Sequence, residues 1–211
     1  MKLHIKSLLP IITALTVAVT LFLPTKALAV SGSDWRPGNI ISDVIFYDNS
    51  SMSVQDIQNF LNSKMPNCDT WGTQAYNGSQ TRAQYGASRG YPAPYICLKD
   101  YSQNGLSAAQ IIKNASDSYS INPKTLIVLL QKEQTLVTDD WPWPSQYRSA
   151  TGYGCPDTAP CDAEYYGLYN QLTNAARQFR RYATYPSEYR YKPYQSNYIQ
   201  YNPNAGCGGT N

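Results

Sequence analysis

Glu133, in the stretch "LIVLLQKEQTLV" (Leu126–Val137), is the residue whose type and spacing best suit chemistry. Leu126 and Leu130 lie seven and three residues before it and Val137 four after it. In a helix those positions share one stripe. A carboxyl held against apolar walls is pushed toward its neutral form, because burial disfavours charge. Such an acid can protonate a leaving oxygen near neutral pH, as glycosidic cleavage requires. The competing reading is a glutamate at the core margin, paired with a lysine or arginine. Because "TLIVLL" is continuously apolar, the helix is expected to be central. It is also expected to end within about five residues of Glu133, beside an aromatic, glycine-containing segment.

The residue inventory narrows the chemistry. His4 is the single histidine, and Glu133, Glu164 and Glu188 are the only glutamates. With no histidine beyond position 4, Ser-His-Asp and Cys-His catalysis, histidine-ligated zinc and an ordinary near-neutral proton shuttle are excluded. No twelve-residue calcium loop and no CxxC pair is present, so the sequence calls for no metal and no cofactor.

Residues 1–29 read as a secretory signal peptide. Lys2, His4 and Lys6 precede an apolar run from Leu8 to Leu23, and Ala27-Leu28-Ala29 is an A-x-A cleavage site. The chain is then exported, to the medium or the cell surface, with no stable membrane span once the signal is cleaved. Lys2, Lys6 and Lys26 leave with it, and 14 basic residues then face 14 acidic ones. The apparent charge of +3 belongs to targeting, and no electrostatic case for nucleic acid remains. The sequence carries no signal for oligomeric state.

All five cysteines follow the signal, where the compartment is oxidising. The expected pairs are Cys68–Cys97 and Cys155–Cys161, each clipping a loop. Cys207 is left over in "GCGGTN", which points to a fragment or to a partner beyond Asn211.

The elements that must position Glu133 follow from caps and periodicity. Residues 30–52 read as an N-terminal arm with an extended piece at Ile40–Tyr47. Ser53, with Asp56 three residues on, opens a helix to about Lys64. Residues 66–104 show no period and read as a long clipped loop. Ser107 and Gln110 form a capping box for a helix to about Ser118. Asn122 and Pro123 open the Glu133 helix, expected to reach Thr138 before "DDWPWPSQ" stops it. Asp162 caps a helix over roughly Ala163–Ala183. Residues 184–211 form a tyrosine-rich tail. The fold class is mainly α, with one helical domain over 53–183.

"SINPKTLIVLLQKEQTLV" resembles the catalytic helix of lysozyme-like peptidoglycan glycosidases, a group that includes lytic transglycosylases and bacterial glucosaminidases. "SATGYG" (Ser149–Gly154) is similar to their glycine-containing loop, "YYGLYNQ" (Tyr165–Gln171) to their cleft-lining segment, and "AARQFRRY" (Ala175–Tyr182) to the helix that follows. The resemblance covers roughly residues 107–182 and implies a lysozyme-like helical domain with long aromatic, disulfide-clipped loops. It makes Glu133 the catalytic acid and peptidoglycan glycan strands the partner. Tyr153, Tyr166, Gly167, Tyr169 and Gln171 would shape the cleft, and Arg148 would meet a muropeptide carboxylate or else make a surface pair. The family commonly has Ser after the acid, where Gln134 stands here. Asp139, Asp140, Asp157 and Asp162 remain open as second carboxylates, and a lytic transglycosylase would need none. The nineteen tyrosines, with Trp141 and Trp143, suit sugar stacking or core packing. The function implied is an exported peptidoglycan glycosidase. The alternative is a non-catalytic cell-surface glycan-binding or adhesion module on the same scaffold.

Overall fold

A computed structural model describes residues 31–34 and 38–211. The signal peptide expected over 1–29 lies outside the described residues. The chain divides into two compact units, Met1–Ile40 and Ile41–Asn211. The described part of the first holds one 3-10 turn, Gly32–Asp34.

The second unit is mainly α. Its described residues form α1 (Asp43–Phe46), α2 (Val54–Lys64), α3 (Arg82–Ser88), α4 (Ala108–Tyr119), α5 (Pro123–Gln134), α6 (Pro144–Arg148) and α7 (Leu168–Thr184). Three two-stranded antiparallel ladders pair β1 (Ala75–Asn77) with β2 (Gln80–Thr81), β3 (Ser102–Gln103) with β4 (Leu106–Ser107), and β5 (Ile199–Gln200) with β6 (Gly209–Thr210).

The centre of the unit is α4, not the Glu133 helix. It packs against α2, α5 and α7. It buries Ala108, Ala109, Ile111, Ile112, Ala115 and Ser116, and its alanines let neighbouring backbones come close. By contrast α5 buries only Pro123, Leu126, Ile127 and Leu130, while Val128 is 64% exposed. Continuous apolarity did not make α5 central, because a helix seated against one flank buries only one stripe. Around α4 the core collects Ile57 and Leu61 from α2, Leu126 and Leu130 from α5, and Leu168, Leu172 and Ala176 from α7. Each fully buried leucine or isoleucine contributes roughly 1.5–3 kcal/mol.

The expected caps form. Ser53 and Asp56, and Ser107 and Gln110, make reciprocal capping boxes, and the Asn122 side chain accepts from the Lys124 amide with Pro123 following. Both expected disulfides, Cys68–Cys97 and Cys155–Cys161, are present, and Cys207 is free and exposed.

Four local expectations are corrected. The extended piece at Ile40–Tyr47 contains the helical turn α1, whose carbonyls at Ile45 and Phe46 accept from the Asn122 side chain and amide. The long loop 66–104 contains α3, opened by a Thr81–Gln84 capping box. The Glu133 helix stops at Gln134, because Thr135 turns left-handed at φ 56° and sends the chain away. Leu136 and Val137 are buried, as apolar residues should be, but outside the helix. The helix expected over Ala163–Ala183 is broken in two. Asp162 caps a short 3-10 turn, Ala163–Tyr165, and Gly167 at φ 94° separates it from α7.

The tail is built onto the helices. Tyr189 meets Tyr182 edge to face, with ring centroids 4.6 Å apart, and Arg181 pairs with Glu188 at 3.0 Å.

Candidate functional site

Glu133 stands next to the last residue of α5. Leu126 and Leu130 beneath it are fully buried, yet the stripe surfaces at Glu133, whose side chain is 31% exposed. The enclosure of the carboxyl is therefore partial. Oε1 of Glu133 lies 2.6 Å from Nζ of Lys132, a side chain 74% exposed. Lys132 is solvated, and its ammonium reaches back to its neighbour.

The other oxygen, Oε2, faces a glycine turn. Helix α6 delivers the chain into Ser149–Gly154, where the Gly152 amide donates to the Ser149 carbonyl at 3.0 Å. Gly152 is left-handed at φ 70°, and a β-carbon placed there would sit 3.9 Å from Oε2 of Glu133. Gly154, at φ 68°, presses against Tyr165, and a β-carbon there would come 2.4 Å from the ring. The segment's two glycines are thus needed, one for backbone geometry facing the acid and one for close packing.

Gln171 fixes this turn from below. It is fully buried. Its Oε1 accepts from the Thr151 amide, the Thr151 hydroxyl and the Tyr153 amide, each at 3.1 Å. Its Nε2 donates to the carbonyls of Tyr153 and Tyr165, both at 2.8 Å. Both lone pairs and both N–H groups of the amide are engaged. Buried as it is, Gln171 positions the turn and does not line a cleft.

The remaining residues from the resemblance gather around the same turn. Tyr153 is half-buried, meets Tyr165 edge to face at 4.9 Å, and its hydroxyl accepts from Arg177 at 3.3 Å. Tyr166 donates to the Cys161 carbonyl at 3.2 Å, and the Arg148 guanidinium lies 5.2 Å from its ring centre. Among the described residues Arg148 has no carboxylate partner. Gly167 donates its amide to the Arg148 carbonyl at 3.0 Å. The Tyr169 ring packs on the hydrophobic core.

Sequence reasoning missed two glutamines. Gln103 caps α7 by accepting from the Tyr169 amide at 2.9 Å, and it fills the space where a β-carbon on Gly167 would sit. It lies 66 residues from Tyr169, so no local pattern marks it. Gln146 accepts from the Trp143 amide at 2.6 Å and donates to the Gln134 carbonyl at 2.9 Å and to Asp139 at 2.7 Å. Pro144 at the first helical position is a signal that could have been read, but Trp143 offers no capping oxygen, so the Gln146 contact is only half of a capping box.

Of the open carboxylates, Asp139 binds Gln146 and the Trp141 amide, Asp140 pairs with Arg82 at 2.9 Å, and Asp162 caps the 3-10 turn. Asp157 is exposed within the Cys155–Cys161 loop. Among the described residues no group of three Cys, His, Asp or Glu side chains could hold a metal. A cavity of about 460 Å³ lies away from this turn, lined by Asp43, Tyr47, Tyr182, Tyr191 and Lys192 among others. Volume does not outweigh chemistry here, because Glu133 is not among its lining residues.

Comparison with protein families matches residues 39–206 to the family described as LasA, N-terminal domain. The chain belongs to this family. The match spans every element of the site, from Gln103 through Glu133 to Gln171. Comparison with curated proteins and with solved structures returns no match. Among the described residues no helix is long and apolar enough to cross a membrane.

Proposed function

We propose that the protein is an exported glycosidase of lysozyme-like fold that cleaves peptidoglycan glycan strands, with Glu133 as its single catalytic acid. One observation carries the reading: a solvent-reachable carboxyl at a helix end faces a glycine turn whose backbone is held by a buried glutamine. Two disulfides and membership of the LasA N-terminal domain family support an exported, cell-wall-related role.

Glu133 would donate its proton to the glycosidic oxygen as the C–O bond breaks, leaving an oxocarbenium-like sugar. The resulting carboxylate would then take a proton from water, giving a reducing end, or from the sugar's own 6-hydroxyl, giving an anhydro end. Tyr153 and Tyr166 would flank the strand, and Arg148, free of a carboxylate partner, would receive a muropeptide carboxylate. Gly167 and Gln171 would hold these groups in register.

The test is mass spectrometry of soluble products after peptidoglycan is incubated with wild type and Glu133→Gln. Wild type is expected to release muropeptides, and the variant at least a hundredfold fewer, the usual scale for loss of a general acid. Equal release by both would sink the assignment.

A second reading is a non-catalytic glycan-binding module. The 2.6 Å Lys132–Glu133 pair favours it, as does the family description of an N-terminal domain. Retention on peptidoglycan with no bond cleavage would select it.

A further inference from the structure

The "WPWP" segment that follows the Glu133 helix builds an aromatic cluster with the long loop beneath it. Tyr76 of β1 stacks on Tyr85 of α3, with centroids 3.9 Å apart and planes 16° from parallel. Tyr85 lies 6.0 Å from Trp143 and 6.3 Å from Trp141, and Tyr91 sits 4.8 Å from Trp143. Beneath the rings, Tyr95 is fully buried and meets Trp141 edge to face. The outer member, Tyr76, is 45% exposed, and Trp141, Trp143, Tyr85 and Tyr91 are all partly accessible.

Packing alone does not require the outer ring. A tyrosine contributes by burying area, and Tyr76 leaves nearly half of its surface in water although a fully buried tyrosine stands nearby. The platform beneath is rigid. The Arg82 guanidinium lies 5.4 Å from the Trp141 ring centre and is held by Asp69 at 3.4 Å and Asp140 at 2.9 Å. Asp69 in turn accepts from the Thr73 and Gln74 amides. The nearby charges are Arg82 and Arg89 against Asp69, Asp139 and Asp140, so the surface disfavours a phosphate or an acidic peptide and leaves a neutral ligand. Gln146 ties this platform to the candidate acid, since it binds both the Trp143 amide and the carbonyl of Gln134, the residue after Glu133.

We propose that Tyr76, Tyr85, Trp141 and Trp143 form a sugar-stacking subsite for the uncharged N-acetylhexosamine units of a glycan strand, beyond the strand's point of contact with Glu133. The inference rests on the glycosidase reading for the identity of the strand, not for the binding itself. Ring faces meet the C–H face of a pyranose, and the phenol hydroxyls meet its hydroxyls and acetamido group; the Trp141 N–H is itself buried and takes no part. Glu133 and its glycine turn would act at one end of the contact, and the ring platform would hold the strand at the other.

The test titrates the mature protein with the tetramer of N-acetylglucosamine, following tryptophan emission and heat release. Wild type should bind the tetramer with a Kd of about 1 mM or tighter. Tyr76→Ala should bind about tenfold more weakly, as expected from one lost ring stack, and Tyr76→Phe nearly as well as wild type. Tyr76 is 45% exposed but stacks on Tyr85, so Tyr76→Ala should melt about 2–4 °C lower, and binding is compared well below both melting points so that weaker binding reports the surface and not unfolding. Equal binding by Tyr76→Ala, or no binding by wild type at millimolar tetramer, would overturn the proposal. The two readings fail separately. Tyr76-dependent binding without Glu133-dependent products keeps the subsite and sinks the glycosidase. Products whose formation is indifferent to Tyr76→Ala do the reverse.

Discussion

Replacing Gln171 by Leu tests whether the site is a built structure or a coincidence of loops. Leucine fills nearly the same volume but offers no polar atom. The amides of Thr151 and Tyr153 and the carbonyls of Tyr153 and Tyr165 would all lose their Gln171 partner. A buried group left without a partner costs roughly 1–3 kcal/mol. Tyr153 and Tyr165 are half-buried, so water can reach part of the network, and the lower end applies to their groups. The sum is about 4 kcal/mol. For a domain of this size each kcal/mol moves the melting point by roughly 2–4 °C, so Tm should fall by about 8–16 °C. Thermal unfolding followed by circular dichroism, with the disulfides intact, measures it. A Tm within about 2 °C of wild type would refute the claim that Gln171 holds the turn. Gln171→Glu sharpens the result. It keeps the acceptors for Thr151 and Tyr153 but turns oxygen toward two carbonyls unless it is protonated. Its folded pKa would lie above its unfolded one, so this variant should lose stability as pH rises.

Asp69 makes the ring platform sensitive to acid. Burial would raise its carboxyl, but amide donation from Thr73 and Gln74, the Thr73 hydroxyl and the charge of Arg82 outweigh burial and hold it below the ordinary carboxylate range. Its contribution is therefore fully present above the unfolded pKa of about 4 and lost as pH falls through the lower folded value. Tm measured from pH 7 to pH 2 should drop over that window, and Asp69→Asn should begin lower at pH 7 and follow a flatter curve; a parallel curve would contradict the assignment. Removing the Cys68–Cys97 link, which spans 29 residues, with paired alanines should cost about 3–4 kcal/mol by loop closure. Urea unfolding reads that loss, and an unchanged midpoint would mean that the loop is held by its rings and ion pairs alone.

Legibility in the sequence tracked the range of the interaction. The caps at Ser53, Ser107 and Asn122 were readable, because a capping side chain binds an amide two or three residues away. The Thr81–Gln84 cap of α3 is equally local, but the segment around it shows no apolar period to mark a helix. Gly167 was singled out for shaping a cleft, while its positive φ was what split the expected helix from α7. Thr135 carried no warning, since a β-branched residue rarely turns left-handed. Glu133 is only partly enclosed for a related reason: periodicity assigns a face but not how far the neighbouring helices extend over it.

By itself the sequence determined the chemical inventory. With histidine confined to position 4, an enzyme here must work with carboxylates, tyrosines, lysines or backbone dipoles. It also determined the starts of α2, α4 and α5 and the mainly α class, all of which follow from composition and contacts within one turn. Only the tertiary structure decided that α4 and not α5 is central, and that Gln171 lies under the glycine turn rather than in a cleft. It alone joined Gln103 to α7 and the loop tyrosines to the "WPWP" rings. Those contacts pair residues tens of positions apart, and their geometry is set by how whole helices pack, which no local pattern encodes.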